Sequence, residues 1–136
     1  MSTIPPLYAS LNVALGGAIG AVLRYQTGRW MTGWMGTQAM QVFPWATLAV
    51  NAAGSLLMGL LAGWLVKSSP EGSEQMRLLL GAGILGGFTT FSAFSLEMAM
   101  LIQRGQFSIA LLYAVLSVSL GVTGLIFGLT MMRLVG

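Results

Sequence analysis

The chain has 136 residues, 56% of them hydrophobic and only 7% charged, with a formal net charge of +3. Soluble domains carry about 25% charged residues, so a water-covered globule is excluded and lipid must cover most of the surface. His and Cys are absent, which excludes a His-based triad or proton relay, a His or thiolate metal site, a thiol nucleophile and a disulfide, and leaves no basis for an enzyme.

Met1–Pro6 holds no Lys or Arg, so the start of the chain does not read as a signal peptide. Each hydrocarbon crossing needs about 20 mostly apolar residues. The first such stretch runs from about Tyr8 to Leu23, with Arg24 at its far end. Gln26–Pro44 carries Arg29, Trp30 and Trp34 and leads into Trp45. Trp favours the membrane interface, so this stretch reads as the end of helix 1 plus an interfacial loop, with helix 1 covering about 8–30. Span two follows over 45–66, with Asn51 in its middle. Lys67–Glu74 is rich in Ser, Gly, Pro and charge and predicts a water-exposed turn. Span three is expected over 77–103 and span four over 107–132, joined by a tight turn at Arg104-Gly105-Gln106. The fold class is an all-α membrane protein, a single integral membrane domain of four transmembrane helices. Small-residue pairs at helical spacing (Gly16/Gly20, Gly59/Gly63, Gly83/Gly87, Gly124/Gly128) let helix backbones approach closely in lipid; they speak for packing, not function.

Orientation is evenly balanced. Four spans put the termini and the 67–77 loop on one side, with Lys67, Arg77 and Arg133, and leave Arg24, Arg29 and Arg104 on the other. Equal numbers give the positive-inside rule nothing to act on. One reading is a weak bias hidden by a misplaced boundary. The other is insertion in both directions, with oppositely inserted copies pairing as an antiparallel dimer. The bases are scattered singly, with no basic stripe, so no nucleic-acid partner is expected.

Polar groups at membrane depth mark function by default, and span three concentrates them: Gly86-Gly87-Phe88-Thr89-Thr90-Phe91-Ser92-Ala93-Phe94-Ser95-Leu96-Glu97. The paired glycines and threonines predict an interruption that breaks this third helix, which is tolerated only inside protein or at a watery cavity. Freed carbonyls at such a break suit ion coordination. A lone Ser or Thr would satisfy itself on the carbonyl one turn earlier, but a cluster beside Gly-Gly exceeds that need. Phe91 and Phe94 share one helical face, as packing or as a pair of positive ring edges for an anion. Asn51 is either interhelical glue or a pore donor. Arg24 either snorkels to the interface or faces an aqueous vestibule. Glu97 is the only carboxylate within a predicted span, as exchange site, vestibule group or cap. Tyr113, Ser117 and Ser119 add hydroxyls to span four.

From the motif Gly86–Glu97, with Gly20-Ala21-Val22-Leu23-Arg24-Tyr25 and Val50-Asn51-Ala52-Ala53-Gly54 in support, the chain resembles the Fluc (CrcB-like) family of fluoride channels over essentially its whole length. The resemblance implies an antiparallel, dual-topology homodimer in the bacterial inner membrane, with two fluoride pores and a central structural sodium ion. It implies that Gly86 and Thr89 hold sodium through backbone carbonyls. It further implies that Phe91, Phe94, Asn51, Thr90, Ser92, Ser117 and Tyr113 line or support the pore, and that Arg24 and Glu97 stand at the vestibule. Two positions depart from the family pattern: Ala93 replaces a Thr, and Gly121 replaces a Ser one turn after Ser117.

The implied function is passive fluoride efflux that lowers cytoplasmic fluoride. Neutral Thr, Ser, Asn and Tyr donors replace the water around a strongly hydrated ion without trapping it. A small dual-topology drug–proton antiporter is the alternative, but that class needs a carboxylate in span one, and span one has none.

Overall fold

The computed structural model describes residues 4–135, so the signal-peptide reading of the first residues lies partly outside them. Among the described residues, four helical stretches are long and apolar enough to cross a membrane: Pro6–Met35, Trp45–Leu65, Gly72–Gln103 and Phe107–Leu134. The protein is accordingly an all-helical, multi-pass membrane protein.

Helix α1 (Pro6–Met35) has 30 residues, about 45 Å at 1.5 Å per residue. It runs past the expected end near residue 30, because nothing in Gln26–Met35 breaks a helix. Hydrocarbon is only about 30 Å thick, so the Arg29–Trp34 end reaches interfacial depth, where Trp30 stacks on Trp34 with centroids 6.0 Å apart. The stop is Gly36, whose φ of +89° suits glycine. The expected interfacial loop contains a short helix, α2 (Thr37–Val42). Phe43 then folds inward, 4.5 Å from the Trp45 ring and 5.4 Å from that of Tyr113.

Helix α3 (Trp45–Leu65) matches the expected second span to within a residue at its end. The exposed turn after it is shorter than the sequence suggests. It covers Lys67–Ser69, and α4 (Pro70–Met76) already begins at the proline, which fits the first turn of a helix. Span three therefore starts earlier than residue 77. From α4 the chain passes without a stop into a π-helical stretch, Arg77–Leu85, and then into the single turn α5 (Gly86–Phe88). Thr89 and Thr90 are extended, with φ/ψ of −83°/156° and −151°/119°. Helix resumes as α6 (Phe91–Gln103). The break thus falls just after Gly86-Gly87, not on it. The tight turn at Arg104–Gln106, with Gly105 at φ +73°, leads into α7 (Phe107–Leu134).

The helices associate as two close pairs. In α1, a Cβ on Gly16 or Gly20 would collide with the Leu79 or Ile84 carbonyl of span three. In α3, a Cβ on Gly59 would strike the Leu125 carbonyl of α7, and one on Gly128 would lie 2.5 Å from the Leu56 carbonyl. Higher numbers face higher numbers in both pairs, so each pair runs parallel. This backbone-to-backbone contact is the use of small residues that lipid favours. The buried apolar cluster is Phe43, Leu48, Leu101, Ala110 and Tyr113, with Phe94 and Met98 packed against it. Much of the remaining apolar surface faces outward, including Leu111, Val115, Val118 and Val122 of α7.

A polar cleft at the break in span three

Breaking a helix in an apolar medium leaves peptide groups without partners, each costly to bury. Here Asn51, from the middle of α3, supplies partners. Its Nδ2 donates to the Thr90 carbonyl at 2.9 Å, and its Oδ1 accepts the Thr90 N–H at 2.7 Å. The Thr90 hydroxyl, buried with the rest of its residue, caps α6 by accepting the Ala93 N–H at 3.1 Å. It also lies 3.3 Å from the Ser92 hydroxyl. Thr89 takes the local solution: its Oγ1 donates to the Leu85 carbonyl at 2.9 Å.

These bonds have a consequence for two carbonyls. In an unbroken α-helix the Thr90 N–H would reach Gly86 and the Ala93 N–H would reach Thr89. Both N–H groups are taken, by Asn51 Oδ1 and Thr90 Oγ1. The Gly86 and Thr89 carbonyls therefore lose their α-helical donors. Gly86 lies on an exposed face.

A cleft of about 340 Å³ opens beside the break, lined by Asn51, Ser55, Thr89, Thr90, Phe91, Phe94 and Ser117 among others. It contains no ionisable side chain. The Phe91 and Phe94 rings are 5.7 Å apart at 35°. Phe94 is held from behind by Tyr113 at 5.0 Å, whereas Phe91 is 78% exposed. The Ser117 Oγ is buried and has no hydrogen-bond partner among the described residues, so the wall of this cleft holds a donor that no described group receives.

Thr90 also lines a wider cleft of about 680 Å³ on the other side, with Arg24, Arg29 and Thr47. Arg24 is half-buried there, on the course of α1 rather than at its end. Glu97 is a fixed acceptor: Thr47 Oγ1 donates to Oε1 and the Tyr113 hydroxyl to Oε2, both at 2.6 Å. Tyr113 itself is fully buried.

Of the residues singled out from sequence, Asn51, Thr89, Thr90, Phe91, Phe94 and Ser117 share the smaller cleft, and Arg24 lines the wider one. Tyr113 does not line the smaller cleft; it supports Phe94 and binds Glu97. Glu97 lines a third recess with Thr47 and Arg104. Ser92 is exposed and touches the cleft through Thr90 alone. Two participants escaped the sequence reading, Thr47 and Ser55. Ser55 stands one helical turn after Asn51 and so on the same face, which was a usable signal; Thr47 carried none.

Residues 11–129 match the family model described as CrcB-like protein, Camphor Resistance. The chain is 71% identical to the fluoride-specific ion channel FluC of Erythrobacter litoralis, over 98% of each chain. It is 60% identical to that of Novosphingobium aromaticivorans, over 92% of this chain and 96% of the relative. It is 46% identical to that of Rhodospirillum centenum, over 90% and 94%.

Proposed function

We infer that this chain, which belongs to the CrcB-like family, is a fluoride-selective ion channel that lets fluoride leave the cytoplasm passively. The observation that carries the reading is the buried, partnerless Ser117 hydroxyl in a cleft without ionisable groups. Fluoride gives up its water only where hydrogen-bond donors replace it. A neutral donor replaces water without the deep electrostatic well of a fixed cation, so the ion can leave again. The cationic Arg24 and Arg29 stand in the wider cleft, where they raise the local anion concentration ahead of the narrow part. The edges of Phe91 and Phe94 carry partial positive charge and flank the donors.

We place the working unit in the bacterial inner membrane as an antiparallel homodimer of oppositely inserted copies. The even distribution of bases supports dual insertion. The 78% exposure of Phe91 and the exposed face at Gly86 support a second copy covering that surface. In this assembly the Gly86 and Thr89 carbonyls of both copies would hold a structural sodium ion. The donor set fits: neutral, hard oxygens freed from helical bonding suit a hard monovalent cation. When bound, sodium would supply positive charge that offsets the cost of bringing an anion into a low-dielectric interior.

The test is efflux from liposomes containing the purified protein. Fluoride should leave rapidly and chloride should not. Equal efflux of both ions, or of neither, overturns the reading.

A further inference from the structure

Asn51, from the middle of α3, and Thr90 pair at the break, and Ser117 lies one turn beyond Tyr113 on α7. An ion at mid-membrane faces the greatest desolvation cost, so each unpaired donor at that depth matters. Ser55 lies at the centre of α3 (Trp45–Leu65) and lines the same cleft as Ser117. Directly across from it, near the centre of α7 (Phe107–Leu134), is Gly121: a Cβ built there would sit 3.5 Å from Ser55 Oγ. Thus the facing helix offers the Ser55 hydroxyl space and no partner.

Some helical hydroxyls of this protein fold back on the carbonyl one turn earlier, as those of Ser10, Thr27, Thr32 and Ser95 do. The Ser55 hydroxyl makes no such bond to Asn51, although the geometry of α3 would permit it. A hydroxyl facing a cleft, opposite a glycine and not folded back on its own helix, is available to a ligand.

We propose that Ser55 is a fluoride-coordinating donor at mid-membrane, extending the path begun by Asn51 and Ser117, and that Gly121 leaves the Ser55 hydroxyl without a partner on the facing helix. The proposal rests on the fluoride-channel reading. The ion would pass from the Ser117 hydroxyl to the Ser55 hydroxyl, changing helix from α7 to α3 as it moves deeper. Ser55 would donate its O–H to the anion, and no bond within the protein need break to free that proton.

The test measures fluoride efflux for wild type, Ser55→Ala, Gly121→Ser and the double variant Ser55→Ala/Gly121→Ser, with Ser55→Ala/Gly121→Ala as the control. A Cβ at residue 121 meets Ser55 at ordinary contact distance, so Ser fits there. A lost hydrogen bond to the ion at the barrier should slow Ser55→Ala roughly tenfold or more. Gly121→Ser should restore flux in the Ser55→Ala background, because it returns a hydroxyl to the same space from the opposite helix, whereas Gly121→Ala should not. Size-exclusion chromatography in detergent checks that each variant is folded. Wild-type flux with undiminished Ser55→Ala flux overturns the role of Ser55 while sparing the channel reading. Equal rescue by Ala and Ser would make residue 55 a packing position and also overturn it. Absent wild-type flux would overturn the channel reading itself.

Discussion

Asn51 and Thr90, 39 residues apart in sequence, are joined by two hydrogen bonds in opposite directions, Nδ2 to the Thr90 carbonyl at 2.9 Å and the Thr90 N–H to Oδ1 at 2.7 Å. The side-chain amide thus serves both peptide groups of one residue at the helix break. The extended backbone at Thr89–Thr90 survives in an apolar setting because α3 carries its missing partners.

Asn51→Leu should therefore damage the fold as well as the path. It leaves the Thr90 N–H and carbonyl buried without those partners, at about 1–3 kcal/mol each. Asn51→Asp keeps the acceptor for the N–H but sets a charged oxygen against the Thr90 carbonyl, and burying that charge is costly, so it should be at least as destabilising as Leu at neutral pH. Thermal unfolding in detergent gives the order; Asn51→Leu as stable as wild type would mean that the break does not depend on this pair.

Phe91 and Phe94 should separate stability from transport. Phe91 is 78% exposed on the single chain, so Phe91→Ile should leave the fold of each copy nearly unchanged. Phe94 rests on Tyr113 at 5.0 Å, and Phe94→Ile should cost about 1 kcal/mol, as volume-similar apolar swaps do. Both should cut fluoride flux strongly, because isoleucine has no positive ring edge. Full flux in both variants would reduce the rings to packing.

The reach of sequence reasoning is visible in these same residues. Hydropathy placed the four spans because each crossing is a local property of about 20 residues. The break was legible only as a neighbourhood. Gly86-Gly87 and Thr89-Thr90 together marked the weak point; α5 runs through both glycines, and the chain opens at Thr89–Thr90, where a distant amide can satisfy it. The π-helical stretch Arg77–Leu85 had no sequence signal, since Leu78–Leu80 and Ile84-Leu85 suit α and π register alike. Glu97 stood out as a buried carboxylate, but its partner Thr47 lies 50 residues away and looked like any threonine at the start of a span. Local periodicity shows which face a residue is on; it does not show which helix lies opposite.

The proposed dual insertion should be breakable by charge. Lys67–Ser69 forms a short connection between spans two and three, and extra Lys residues placed there add to Lys67, Arg77 and Arg133 on that side. The positive-inside rule should then fix one orientation. Such a biased variant should lose most flux when expressed alone and recover it when co-expressed with an oppositely biased copy. Full flux from the single biased species would exclude antiparallel assembly.

The proposed sodium site gives the sharpest contrast, between adjacent threonines. The Thr90 hydroxyl accepts the Ala93 N–H at 3.1 Å and so caps α6 directly after the extended Thr89–Thr90 backbone. Thr90→Val is nearly isosteric but removes this cap, which typically costs about 1 kcal/mol. The backbone that carries one of the proposed sodium donors is then less firmly anchored. The Thr89 hydroxyl only bonds the Leu85 carbonyl, at 2.9 Å, so Thr89→Val leaves the Thr89 carbonyl as it was. Gly86→Ala adds a Cβ no closer than 3.6 Å to its neighbours, and residue 86 is already helical at φ −63° and ψ −38°, so this swap leaves the break where it is. Gly87→Ala is a poorer probe, since its Cβ would lie 2.5 Å from the Gly17 carbonyl and would disturb the packing on α1. Thr90→Val should require more sodium than wild type to reach full thermal stability, and Thr89→Val and Gly86→Ala should not. Because sodium-dependent stability is read without fluoride, a separate role of the Thr90 hydroxyl in the fluoride path does not enter the measurement. Equal sodium dependence in Thr89→Val and Thr90→Val would remove the freed carbonyls from the account.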